Sequence, residues 1–118
     1  MKTRSANYSM NWKKKECAVT LSSLVYTEIL APYYREKAYL KIKGIKQALS
    51  NAPNIHLQEM NIAISEKAAE LRATMGVKTP DAIHLATALH AKVDYLITND
   101  KDFLKYQKPD LKIVLLDQ

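Results

Sequence analysis

Apolar positions recur along this chain in two rhythms. Ala38, Ile42, Ile45 and Leu49 are spaced by four, three and four residues, as are Ile64, Ala68, Leu71 and Met75. That spacing draws one stripe along a helix, and it predicts helices over 36–50 and over about 61–75, the second capped by Asn61 and ended by Gly76. Short apolar runs predict strands in "AVTLS" at 18–22, "YLIT" at 95–98 and "KIVLL" at 112–116. "IHLQE" at 55–59 alternates apolar and polar residues, as a half-exposed strand does.

Two further helices complete the pattern. "SLVYTEILAPYY" follows the first strand, with Ser22 or Ser23 as its cap and Pro32 as its interruption. "KTPDAIHLATAL" at 78–89 opens a helix over 80–91, in which Thr79 can cap, Pro80 suits the first position, and Asp81 sits where free amides favour negative charge. "NDKDFLKY" after the strand at 95–98 reads as a loop or short helix. Residues 1–16 are polar and basic, and Tyr8, Met10 and Trp12 among them are expected to pack as one amphipathic turn or helix, with a partner surface as the alternative. Strands separated by helices indicate an α/β fold with a mostly parallel sheet. With 118 residues and neither repeat nor linker, the expectation is a single domain over 1–118.

Composition narrows the functional classes. Apolar residues make up 47% and charged residues 25%, a globular balance, and the net charge of +6 attracts a polyanion or an acidic partner without choosing between them. Cys17 is the single cysteine and makes no intrachain disulfide, which fits a reducing compartment. Apolar runs of about four residues fall far short of a membrane span or a leader, so the expected location is the cytoplasm, with no membrane partner.

Four acids stand where an open parallel sheet places its sites. Glu28 follows the first strand, Asp81 opens a helix, and Asp100 and Asp102 follow "YLIT". Each has an ordinary structural role open to it: Glu28 as a surface helix residue, Asp100 as a cap for "KDFLK". Together they suit a hard cation, Mg²⁺ or Mn²⁺, because carboxylates are hard oxygen donors. Scattered His56, His84 and His90 and the lone cysteine offer no zinc spacing, and glycines at 44 and 76 cannot build a phosphate-cradling loop. His84 lies three residues after Asp81 and can orient that acid by a hydrogen bond, although a satisfied polar residue at the core edge is the simpler role for it.

"VTLSSLVYTEIL" and "GVKTPDAIHLATALHAKVDYLITNDKDF", with the helices between them, resemble the PIN domain, a metal-dependent ribonuclease fold that includes many bacterial toxins of toxin–antitoxin pairs. The resemblance covers about 17–116. It implies a three-layer α/β/α sandwich in which Glu28, Asp81 and Asp100 match acidic positions of the site. Thr98 and Asn99 match polar residues beside the last acid, and Asp102 matches an auxiliary position. The implied chemistry is hydrolysis of an RNA phosphodiester by water that a divalent cation activates. Lys101 could meet a substrate phosphate or remain ordinary solvated charge. A cognate antitoxin is an implied partner.

The beginning departs from that family, whose members start with a central strand ending in aspartate. Residues 1–15 contain no carboxylate, and no aspartate precedes Asp81. The expectation is therefore a sheet whose first central strand is missing, repaired by repacking, a substitute segment or a second subunit, with a homo-oligomer such as a dimer favoured. One acid fewer also lowers the expected metal affinity. Three functions stay open: a nuclease with an incomplete site, an inactive protein-binding or structural module, and an RNA-binding protein without cleavage.

Overall fold

A computed structural model describes residues 5–11 and 16–116, with side chains described from residue 18 onward. Five strands form one sheet: β1 (Ser5–Asn11), β2 (Glu16–Ser22), β3 (Ile55–Gln58), β4 (Tyr95–Thr98) and β5 (Lys112–Leu115). Their order across the sheet is β3-β2-β1-β4-β5. Helices α1 (Leu24–Arg35), α2 (Tyr39–Asn51), α3 (Ile62–Met75) and α4 (Thr79–Ala91) complete a three-layer α/β/α sandwich, and Lys101–Lys105 forms a short 3₁₀ helix.

The central position is filled, by a segment for which the composition suggested a turn or helix. β1 pairs antiparallel with β2 on one side and with β4 on the other, whereas β2 with β3 and β4 with β5 are parallel. Four strands thus point one way and the central one points back. The connection dictates this direction, because only residues 12–15 separate β1 from β2 and a parallel pair needs a crossover of about a dozen residues. The sequence carries the signal as well: Ser5, Asn7, Ser9 and Asn11 alternate with Ala6, Tyr8 and Met10 at the strand period of two. Of the three repairs considered for the sheet, the chain uses the substitute segment, so closing the sheet does not require a second subunit. Trp12 lies outside the described residues.

The core gathers where α3 and α4 meet β4. Ile64, Ala68 and Leu71 of the α3 stripe are buried and Met75 is half-buried, against Leu85, Leu96 and Phe103. Every residue from Ala82 to Ala88 is buried, which makes α4 an inner helix. Asn61 caps α3 by accepting the Ile64 amide at 2.9 Å, and Gly76 ends it in the left-handed region at φ 68°. α1 runs past Pro32 instead of stopping there. The proline removes one amide, while its own carbonyl accepts from the Glu36 amide at 3.2 Å and closes the next turn. No helix among the described residues is long and apolar enough to cross a membrane.

Candidate metal centre

Because β2 and β4 both run against β1, their last residues, Ser22 and Thr98, lie at the same end of the sheet. α1 leaves from the first and an acidic loop from the second. At Ser22 the hydroxyl accepts the Leu24 amide at 3.2 Å, while Ser23 is the N-cap residue without a side-chain bond. Beyond β4 the turn is held by its own side chains. Fully buried Thr98 accepts the Asp100 amide on Oγ1 at 3.1 Å, and Asp100 Oδ1 accepts the Asp102 amide at 2.9 Å, capping the 3₁₀ helix. Asp100 therefore performs the structural role open to it while standing in the site.

α4 delivers Asp81 to the same place. Its N-cap is Lys78, whose carbonyl accepts the Ala82 amide at 2.9 Å, so Thr79 lies inside the first turn and makes no cap. Asp81, Asp100 and Asp102 each bring one carboxylate oxygen to within 4.8 Å of the others. This proximity leaves an electrostatic trace. Burial, then the Asp100 and Asp102 charges, push the Asp81 carboxyl above its usual range against the opposing pull of His84 and Lys78.

Glu28 stands apart from this triad. His84, 4% exposed, brings Nε2 to 3.0 Å from Glu28 Oε1, a contact that joins α4 to α1. Of the two roles the sequence left to His84, orienting Asp81 or standing as a satisfied polar residue at the core edge, its burial and its contact with an acid 56 residues away match the second. No local pattern announces a pair at that separation. Asn99 keeps its Oδ1 buried without a hydrogen-bond partner, while Lys101 is exposed between the two acids.

These donors fit a hard divalent cation: the cluster is all oxygen, and the burial and then the mutual repulsion that raise the Asp81 carboxyl are what a bound cation offsets. Asp81, Asp100 and Asp102 would hold it.

The PIN domain family matches residues 6–109. The chain belongs to the PIN domain family. It is also similar to a chain in a toxin–antitoxin complex from Klebsiella pneumoniae, with 27% identity and a TM-score of 0.61 over 78% of this chain and 70% of that one. No curated protein matches it. Within the matched span β1 runs antiparallel to both its neighbours, and no residue of Ser5–Asn11 is a carboxylate.

Proposed function

We propose that this PIN domain is a divalent-metal-dependent ribonuclease that hydrolyses phosphodiesters at the cluster of Asp81, Asp100 and Asp102. The observation that carries the reading is the meeting of three carboxylate oxygens within 4.8 Å, beside the ends of parallel strands. Mg²⁺ or Mn²⁺, when bound, supplies Lewis acidity at the scissile phosphate and lowers the pKa of the attacking water. Asp100 is fixed by two bonds within its own turn, so it presents its carboxylate with little freedom. Glu28 and His84 form one wall and hold α1 against α4. Thr98 sets the turn, Asn99 contributes a buried carbonyl oxygen, and Lys101 is available to a substrate phosphate.

The test is cleavage of a structured RNA with Mn²⁺ or Mg²⁺ beside an Asp100→Asn variant. The expected loss is at least about 100-fold, since the substitution removes a charged ligand while its Oδ1 still accepts the Asp102 amide. Cleavage that survives chelation, or is equal in the variant, would sink the reading.

A second reading has an observation of its own. The central strand brings no acid and Glu28 Oε1 is engaged by His84, which leaves three carboxylates in the cluster. In that reading the domain no longer cleaves and serves as a protein-binding module for an antitoxin-like partner, supported by the likeness to a chain from a toxin–antitoxin complex. RNA that binds without being cut would mark the third alternative.

A further inference from the structure

Two independent features meet on the hairpin of α1 and α2. The first is charge. Residues 35–46 carry Arg35, Lys37, Lys41, Lys43 and Lys46, all exposed, against Glu36 alone. Residues 52–118, which hold the acidic cluster, carry eight Lys or Arg against nine Asp or Glu, so the net +6 belongs to the first half of the chain. The second feature is aromatic. Tyr34 and Tyr39 are 52% and 60% exposed, with ring centroids 6.4 Å apart and planes at 70°.

The cations do not serve the packing of the fold, and the rings, which meet across the turn, keep about half of their surface open. α2 buries only Ile42, with Ile45 and Leu49 half-buried, and its lysines face solvent. Lys43 and Lys46 are three apart on one helix, where like charges repel. The turn between the helices is nevertheless tightly specified: the Lys37 amide donates to the Tyr34 carbonyl at 3.1 Å and the Ala38 amide to the Tyr33 carbonyl at 2.9 Å, with Lys37 in the left-handed region at φ 56°. The two rings are therefore presented by a fixed turn beside a row of cations.

Cations alone would suit any polyanion, but exposed aromatic faces beside them suit unpaired bases, which stack on such rings irrespective of sequence. An acidic protein makes no use of the rings in that way. Tyr34 lies six residues beyond Glu28 on α1, about 9 Å of helical rise, so one helix carries both the Glu28–His84 contact and the edge of the patch. We propose that the α1–α2 hairpin is a docking surface for single-stranded RNA, with Tyr34 and Tyr39 stacking bases and Lys37, Lys41, Lys43 and Lys46 meeting phosphates. This rests on the RNA reading of the acidic cluster and names where its substrate strand is held.

The experiment measures binding of the full chain to a labelled single-stranded RNA by fluorescence anisotropy in EDTA, across a salt series. Lys41→Gln/Lys43→Gln/Lys46→Gln should weaken binding at least about tenfold and flatten the salt slope by about 2, at about 0.7 per lost phosphate contact. Tyr34→Ala/Tyr39→Ala should weaken it by at least about 30-fold at unchanged slope, at about 1 kcal/mol or more per lost stack. Unchanged affinity in both variants overturns the proposal, as does polyglutamate competing as well as unlabelled RNA, which would assign the hairpin to an acidic protein. Because EDTA removes hydrolysis, hairpin-dependent affinity reports on the docking surface, while a parallel Mn²⁺ cleavage assay of Asp100→Asn, whose hairpin is unchanged, reports on the acidic cluster.

Discussion

Asp81 is subject to opposing fields at one helix start. The α4 dipole favours its charge, while burial and the neighbouring Asp100 and Asp102 disfavour it, and the net effect is a raised pKa. An acid raised on folding lowers stability fully above its folded pKa. That penalty fades as pH falls through the folded value and is absent below the unfolded one. Asp81→Asn should therefore raise Tm at neutral pH, with a gain that shrinks on acidification; an equal shift at every pH would contradict the account. Mn²⁺ should stabilise the unmodified protein by about 1.4 kcal/mol at a tenfold excess over Kd, or about 5 °C in Tm, and the variant much less, as read by scanning calorimetry. Asp81, Asp100 and Asp102 were legible as site candidates because each follows a strand or opens a helix. The contact of Glu28 with His84 was not, because each residue has an adequate local explanation and only the packing of α1 on α4 unites them.

At the scale of elements, helix ends separate what residue type reveals from what it hides. Gly76 announces the end of α3, and Gly76→Ala should lower stability by about 1 kcal/mol, because alanine is strained at positive φ. Lys92 ends α4 in the same left-handed conformation at φ 55°, its amide and that of Val93 returning to the carbonyls of Leu89 and Ala88. Lys92→Gly should raise stability by about 0.5–1 kcal/mol. Urea melts of the two variants should move in opposite directions; a common sign would refute the left-handed assignment at one of them. A lysine gives no sequence warning of such a turn, so the stop at Lys92 was less visible than the stop at Gly76. β1 shows the converse, a legible alternation obscured by the basic composition around it. Charge and scattered aromatics suggested an amphipathic turn or helix, whereas period two and a four-residue link to β2 lead to a hairpin strand.

Across the whole molecule, β1 is the seam on which both halves of the sheet depend. Asn7 faces Thr20 on one side and Leu96 on the other, so an amide lost there has no solvent-facing alternative. Asn7→Pro should destabilise the fold by about 3 kcal/mol or more. Because the strand is supplied within the chain, the unfolding midpoint of the unmodified protein should not vary with protein concentration. A concentration-dependent midpoint would show that another copy completes the sheet. The α/β class and the family were readable from 17–116, but the identity of the central strand depended on long-range pairing that no local window contains. The same arrangement bears on synthesis. β1 and β2 are neighbours in sequence and β3 follows, whereas β4 begins 84 positions after β1 ends, an interval of about 4–17 s at roughly 5–20 residues per second. A nascent chain thus carries the middle of its future sheet as a bare edge for most of its translation, open to capture by a neighbouring chain or a chaperone until residues 95–98 are delivered.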